Sequence, residues 1–252
     1  MPTAIVMPPS RLLDITDANT LEVKLNIRLF AIDSPEIHYP EGRDVSLLDP
    51  LLEVLPKLAA WKSLPEELRE YLLPKLEKAG THQRMWGLKA KEAFEGMVNE
   101  ALTVDGKKRK RPLFFALPPA PFDRNGRILA YVGPYVPKEE RGDSPLPGSF
   151  NYRMVAEGWA APYLHMQNLP KKEDLDQGML AFANAYFQKL GIWSGDRTPL
   201  LAYEFRALVR MAHGGEGFTH PVYDARLLGD PEAKPLQPEE YIFLPVDSRV
   251  FG

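Results

Sequence analysis

The sequence predicts an α+β fold, because strand patterns and helical patterns occupy separate stretches of the chain. Residues 21–29 alternate apolar with polar side chains, a period of two that is typical of a half-buried strand. Residues 123–126 read D-R-N-G, a hairpin signal, since Asn-Gly suits the positive-φ positions of a type I′ turn. The segments 81–101 and 173–190 carry apolar residues near helical spacing.

Composition excludes several classes of site. The chain has 252 residues, a net charge of −3, 44% hydrophobic residues and no cysteine. Disulfides, thiolate nucleophiles and cysteine-bound zinc are therefore excluded, and any basic surface must be local. The first residues lack the pattern of a signal peptide, and no stretch is long and apolar enough to span a membrane. We therefore expect a cytoplasmic protein that does not contact membranes.

The strands predicted in the first half of the chain lie on either side of a helical region. Residues 21–32 form either one bent strand or a tight hairpin, and residues 41–80 form short helices interrupted by prolines. The longer helix 81–101 follows, and strands are expected over 112–117 and 128–132. The helix is expected to face the core through a stripe of apolar side chains: Met85, Leu88, Phe94, Met97, Val98 and Ala101.

Three helices and one strand are predicted in the second half. Residues 151–158 form a short helix closed by glycine, and residues 173–190 form a longer one. Residues 200–212 form an amphipathic helix. The remainder is rich in proline, with a possible strand at 241–246.

The strand predicted to end near Asp33 places opposite charges close together. An apolar run carrying Arg28 stops at Asp33 and Glu36, because Pro35 between them cannot donate to a sheet ladder. Carboxylates bind hard cations or move protons, and an arginine fork binds phosphate. The alternative is a strand followed by a solvated turn, and the residues alone leave both interpretations open.

A second charged feature is the run K-K-R-K-R, which begins with Lys107, Lys108 and Arg109. It is either a solvated loop, a loop that contacts phosphate, or a nuclear-import signal. The histidines show no spacing that is typical of a metal site.

Five separated motifs occur in an order that resembles the staphylococcal nuclease (thermonuclease-like) family. They read D-A-N-T-L-E-V, R-L-F-A-I-D-S-P-E, D-R-N-G-R-I-L-A-Y-V, N-Y-R-M-V-A-E-G-W-A and L-G-I-W. The resemblance implies an OB-fold, a five-stranded Greek-key β-barrel with packed helices, over residues 10–196. Residues 41–80 are then a helical insertion, and residues 197–252 are a C-terminal extension.

The resemblance also implies a phosphodiesterase that hydrolyses DNA or RNA with Ca²⁺, or with Mg²⁺ or another divalent ion in its place. Glu36 matches the family's general base, and Arg28 and Arg127 match the two arginines that hold the phosphate. Asp33 and the Ser34 carbonyl match calcium ligands.

The remaining candidate residues follow from the same resemblance. Asn19 stands where the family has a second ligating aspartate, so weaker calcium binding is expected. Asp17 matches a residue that assists the metal through water. The expected substrate contacts are Arg124 and Tyr163, together with Lys107, Lys108 and Arg109 of the basic run described above.

Three functions remain open at this stage. The first is an active metal-dependent nuclease, for which Arg28, Asp33, Glu36 and Arg127 are all present. The second is a barrel that binds nucleic acid or protein without cleaving it, which Asn19 favours. The third is an assembly component in which residues 197–252 dock a protein partner.

Overall fold

The computed structural model confirms the α+β class. It describes residues 11–17, 20–104, 107–123, 125–137, 148–195 and 199–252, so the predicted residues Asn19 and Arg124 lie outside the described part. The strands are β1 (Arg11–Asp17), β2 (Thr20–Lys24), β3 (Ile27–Leu29), β4 (Ile32–Asp33), β5 (Thr103–Val104), β6 (Lys107–Lys110), β7 (Leu113–Ala116), β8 (Ile128–Pro134), β9 (Ala161–Pro162), β10 (Leu164–His165), β11 (Val222–Asp224) and β12 (Arg249–Phe251). The α-helices are α1 (Asp49–Glu53), α2 (Ala59–Lys62), α3 (Glu66–Leu72), α4 (Ala79–Leu102), α5 (Phe150–Ala156), α6 (Lys172–Phe187) and α7 (Ala202–Ala212).

The strands form small separate sheets. Strands β1 and β2 pair with each other, as do β5 with β6 and β4 with β9. Two larger sheets have the orders β3-β8-β7 and β10-β12-β11. Across the described ranges none of these sheets closes on itself, so the expected five-stranded Greek-key barrel is not confirmed.

The chain between Thr20 and Asp33 is neither one bent strand nor a single hairpin. It is divided into β2, β3 and β4, and the break between β3 and β4 contains Ala31, whose φ is +61°. A non-glycine residue in this left-handed region turns the chain sharply. As a result β4 leaves the sheet of β3 and pairs with β9 instead, through Ile32 with Pro162 and Asp33 with Ala161.

The hairpin predicted at residues 123–126 is present. Strand β8 returns antiparallel to β7, and Phe122 forms a further bridge with Ile128. Gly126 has a φ of +72°, and its N–H donates to the Asp123 carbonyl at 2.9 Å, whereas the type I′ geometry stays a prediction. Asp123 Oδ1 accepts hydrogen bonds from the backbone N–H groups of Asn125 and Arg127, each at 2.9 Å, and so stabilises the turn.

Helix α4 confirms the long helix predicted over residues 81–101 and the second half of the expected apolar stripe, in which Met97 is buried and Phe94, Val98 and Ala101 pack against the core, but the first half of the stripe is wrong. Met85 and Leu88 are each 39% exposed. The helix packs closely through small residues instead. A Cβ atom added at Gly87 would lie 2.8 Å from both the Pro35 carbonyl oxygen and Ile37 Cγ1. Close backbone approach to the segment after β4 therefore decides which face is buried.

The predicted insertion and extension share one hydrophobic core with the rest of the chain. Leu52 and Leu68 of the region 41–80, Phe150 of α5, and Phe205 and Tyr241 of the extension are each at most 1% exposed and belong to one buried cluster. The short helices predicted within residues 41–80 are present as α1, α2 and α3, and the helices predicted at 151–158 and 173–190 correspond to α5 and α6. The boundaries proposed at residues 10, 41, 80 and 196 stay predictions.

The extension begins as predicted and ends differently. Helix α7 confirms the helix expected over 200–212, but the strand expected over 241–246 is wrong. Pro238–Phe243 is a 3₁₀ helix, because Pro238 suits its first turn and the Glu240 carboxylate accepts the Gln237 backbone N–H at 2.8 Å. The strand lies further on, where β12 pairs parallel with β10 and antiparallel with β11.

None of the described helices is long and apolar enough to cross a membrane.

Asn151 links β8 to Phe30, the residue that follows β3, and generates a stability prediction. Its buried amide donates to the Phe30 and Ala130 carbonyls at 2.9 and 3.0 Å, and its carbonyl accepts the Val132 N–H at 3.0 Å. We expect Asn151→Leu to lower the free energy of unfolding by about 3 kcal/mol or more, because buried backbone groups lose partners. Urea denaturation measures this. Asn184→Leu, at an exposed position of α6, is the control. An equal loss of unfolding free energy in both variants would contradict the role assigned to the Asn151 hydrogen bonds.

Candidate functional site

The charged residues predicted at the end of the strand do meet in space. Arg28 lies on β3 and Asp33 on β4, and the sharp turn between the strands brings Arg28 Nη2 to 2.9 Å from Asp33 Oδ1. Glu36 follows on the same side, beyond the buried Pro35. The side chains of Arg28, Asp33 and Glu36 are 24%, 9% and 23% exposed, respectively. The cluster is therefore half-buried, and its charges are less screened than surface charges.

A fourth charged residue, Arg206, enters the cluster from α7. Its Nη2 lies 2.6 Å from Asp33 Oδ2, and its Nη1 lies 2.5 Å from Glu36 Oε1 and 3.4 Å from Asp33 Oδ1. One guanidinium thus bridges both carboxylates, an arrangement that suits its planar fork of donors. The formal charges of Arg28, Arg206, Asp33 and Glu36 sum to zero.

Tyr163 lies beneath the two arginines. The Arg28 and Arg206 Cζ atoms are 5.8 and 5.6 Å from the centre of its ring, respectively, within the range of cation–π attraction. The ring of Tyr203, from α7, is nearly parallel to that of Tyr163 at 5.8 Å, and Phe251 of β12 is 5.4 Å away. Two elements of the extension therefore cover the tyrosine that the sequence assigned to substrate binding, and that assignment stays a prediction.

The backbone at Glu36 is held by α4. The Glu36 N–H donates to Gln83 Oε1 at 2.9 Å, and the Gln83 amide donates in turn to the Leu200 carbonyl just before α7. Gln83 is 3% exposed. One buried side chain thus fixes both the segment that carries Glu36 and the start of the helix that carries Arg206.

Burial and charge act in opposite directions on the ionisable groups of the cluster. Burial raises the pKa of Glu36, and the Arg206 guanidinium opposes this effect without cancelling it. Burial alone would lower the pKa of Arg206, but the Asp33 and Glu36 carboxylates outweigh it and raise that pKa. Arg206 therefore remains charged, and it is tied to both carboxylates by ion pairs.

Arg127 lies beside the strand that carries Arg28, and its guanidinium binds a residue outside the cluster. It directly precedes β8, whose Ile128 pairs with Ile27 of β3. Its Nη2 and Nε lie 2.7 and 2.8 Å from Asp123 Oδ2, and its side chain is 39% exposed. The structure thus places Arg127 next to the strand of Arg28, with its guanidinium directed to the hairpin turn.

The other predicted residues lie in several elements. Ser34 follows Asp33 in the chain, and its role as a ligand stays a prediction. Asp17 ends β1, where its backbone pairs with Thr20. Lys107, Lys108 and Arg109 form part of β6, which is a strand and not the loop that two of the three interpretations proposed, and their contact with substrate stays a prediction.

The arrangement does not fit a calcium ion. Calcium takes six to eight oxygen ligands. Both oxygens of Asp33 and one of Glu36 accept hydrogen bonds from guanidinium groups. Among the described residues no group of three or more acidic or histidine side chains is arranged to hold a metal. An ion at Asp33 would have to displace Arg206.

Sequence reasoning missed Arg206, although one signal was available. Helix α7 reads A-Y-E-F-R-A-L-V-R-M-A, and the structure buries Tyr203, Phe205, Ala207 and Leu208 around the charged positions. A charge within a helix that is apolar on most sides must find a partner, because burying it unpaired is costly. The partner itself lies far away in the sequence, so no local pattern identifies it.

The ion pairs of Asp33 generate a second stability prediction. We expect Asp33→Asn to lower the free energy of unfolding by about 3–5 kcal/mol, because it leaves buried Arg206 with one carboxylate fewer. Asp176→Asn is the control, since that residue pairs with Lys172 on the surface, where the side chains are 57% and 80% exposed. The control should change stability by less than about 1 kcal/mol. Equal losses of unfolding free energy in the two variants, measured by urea denaturation, would refute the role assigned to the Asp33 ion pairs.

His165, at the edge of the site, generates a prediction on pH. Burial, followed by the charges of His220 and Arg28, lowers the pKa of His165 from 6.5 to about 4. The folded state therefore favours neutral histidine, and its stabilisation is complete above about pH 6.5 and is lost progressively towards pH 4. The slope contributed by one such group reaches at most about 1.4 kcal/mol per pH unit.

We expect His165→Gln to flatten the decline in unfolding free energy between pH 6.5 and 4, measured by urea denaturation at a series of pH values. His82→Gln, at an exposed position of α4, should retain the wild-type slope. If both variants show the wild-type slope, His165 does not contribute to it.

Comparison with known proteins identifies the family. A search against curated proteins found no match. The family model described as staphylococcal nuclease homologue matches residues 26–195, which include β3, β4, Arg28, Asp33, Glu36 and Arg127. Helix α7 and Arg206 lie beyond the matched residues. Because the match covers well over half of the chain, the protein belongs to the staphylococcal nuclease homologue family.

Proposed function

We propose that this protein binds the phosphodiester backbone of DNA or RNA and hydrolyses it at the cluster of Arg28, Asp33 and Glu36. One observation carries the proposal: the turn between β3 and β4 gathers an arginine and two carboxylates at a half-buried strand end, and Arg127 directly precedes β8, which pairs with the strand of Arg28. Membership of a family that is typically nucleolytic supports it.

Arg28 and Arg127 are suited to hold the phosphate. A phosphodiester carries one negative charge, and more charge accumulates on its oxygens as a nucleophile attacks. Arginine has five N–H donors, and Arg28 uses Nη2 for Asp33 while Arg127 uses Nε and Nη2 for Asp123. Donors therefore remain on both side chains. Both are also partly exposed, at 24% and 39%, so a substrate can reach them.

Glu36 is suited to activate water. Arg206 binds Oε1, and within the described ranges no donor reaches Oε2. A water molecule at Oε2 gives its proton to the carboxylate as its oxygen bonds to phosphorus. The bond from phosphorus to the departing ester oxygen then breaks, and that oxygen takes a proton from solvent.

A second candidate function is binding of nucleic acid without cleavage. The specific observation in its favour is that Arg206 bridges Asp33 and Glu36. A carboxylate that is paired with a guanidinium accepts a proton less readily, which weakens a general base. Arg28 and Arg127 could bind phosphate in either case. A protein partner for the extension remains a further prediction.

Cleavage assays distinguish the two functions. Labelled single-stranded DNA and RNA of equal sequence are incubated with the wild type in Ca²⁺, in Mg²⁺ and in EDTA. We expect Glu36→Gln to reduce the cleavage rate by about 10²–10⁴-fold, because the proton acceptor is lost. Arg127→Ala should reduce it by about 10²–10³-fold, because charge stabilisation is lost.

Arg226→Ala is the matched control, since Arg226 also pairs with a neighbouring aspartate, Asp224, at 2.6 Å, but lies in the extension. It should cleave at the wild-type rate. If no protein cleaves, but fluorescence anisotropy shows binding that Arg127→Ala weakens, the second function replaces the first. Cleavage by Glu36→Gln at the wild-type rate would exclude Glu36 as the group that accepts the proton of the attacking water.

A further inference from the structure

Arg206 reaches the site from outside the part of the chain that matches the family. It lies on α7, whereas the match ends at residue 195. Its guanidinium contacts Asp33, the residue that the resemblance assigns to calcium, as well as Glu36. The cation bound to these carboxylates is therefore a side chain of the protein itself, the Arg206 guanidinium.

The position of Arg206 lets it do what a bound divalent ion would do at this site. A cation between two carboxylates neutralises them and fixes the distance between them. The Arg206 fork does both, with contacts of 2.6 Å to Asp33 Oδ2 and 2.5 Å to Glu36 Oε1. Arg28 supplies the second positive charge at Asp33 Oδ1. The cluster is then neutral, and a divalent ion added to it would leave an excess of two positive charges in a half-buried site, which is unfavourable.

Arg206 is also held firmly in this position. Its side chain is 12% exposed and rests over the Tyr163 ring. Its neighbours on α7, Phe205 and Leu208, are fully buried, so the helix itself is anchored in the core. The start of α7 is linked to the Glu36 backbone through Gln83. Removing the guanidinium from the carboxylates therefore means moving a largely buried side chain away from its ion pairs and from the Tyr163 ring.

We propose that Arg206 replaces the divalent cation at this site: it neutralises Asp33 and Glu36 and prevents calcium from binding while α7 is in place. The fold and the charge balance of the site then do not depend on calcium. This inference concerns ion binding in the absence of nucleic acid, so it does not depend on whether the protein cleaves DNA or RNA.

The test measures ion binding directly in the full chain. Ca²⁺ binding is followed by calorimetry, and Tb³⁺ binding by luminescence that is sensitised by nearby tyrosines. The variants are Arg206→Gln, the double variant Arg206→Gln with Asp33→Asn, and Arg210→Gln. Arg210 is the matched control, because it lies one turn along α7 and donates to the Glu216 and Gly217 carbonyls, not to the site.

We expect Arg206→Gln to bind Ca²⁺ at least about tenfold more tightly than the wild type, since net ligand charge is a main determinant of calcium affinity. Calcium should also raise the melting temperature of Arg206→Gln and leave that of the wild type unchanged. The double variant should lose the gained affinity, and Arg210→Gln should behave as the wild type does.

Equal calcium affinity in the wild type and in Arg206→Gln, including no binding in either, would overturn the proposal. The same is true if the gain persists in the double variant, because the ion would then bind elsewhere. If Arg206→Gln does not fold, Arg206→Lys takes its place. Lysine keeps a charge but cannot bridge two carboxylates as a fork, so its calcium affinity should exceed that of the wild type, and an equal affinity would refute the proposal.

Discussion

The ion pairs of Arg206 with Asp33 and Glu36 connect parts of the chain that are otherwise far apart. Both carboxylates are less than one quarter exposed, and such charges are costly to bury without a partner. The partner comes from a helix that must itself be seated in the core before its arginine can reach them. The packing of α7, the turn at Ala31 and the Gln83 bridge are therefore mutually dependent. The charges of the site are therefore paired only when the chain as a whole is packed.

Local signals predicted much of the fold. The hairpin before β8, the helices α3 to α7 and the strand end at Asp33 follow from turn residues, capping residues and periodicity, all of which act over a few neighbours. The failures have a different origin. The face that α4 buries is decided by how closely Gly87 approaches the Pro35 carbonyl, and the pairing of β4 is decided by a positive φ at Ala31. Neither quantity is visible in hydrophobic periodicity.

In the candidate site, too, contacts between residues close in the sequence could be predicted and contacts between distant residues could not. The proximity of Arg28, Asp33 and Glu36 could be predicted, because all three lie within one short segment of the chain. The contacts of Arg206 with Asp33 and Glu36 span 173 and 170 residues, respectively, and no spacing rule operates over such distances. The resemblance of the nuclease motifs could not reveal them either, because α7 lies outside the matched region. Long-range pairing between buried charges requires the three-dimensional structure.

The position of α7 in the chain has a consequence for biosynthesis. The ribosome makes Asp33 and Glu36 early and Arg206 about 170 residues later. At typical rates of about 5–20 residues per second, the two carboxylates emerge roughly ten to thirty seconds before their partner. During that interval the nascent chain has only Arg28 to balance the two carboxylates, and the native charge balance is reached once α7 has been translated. Pairing of Arg206 with Asp33 and Glu36 therefore indicates that translation has passed α7.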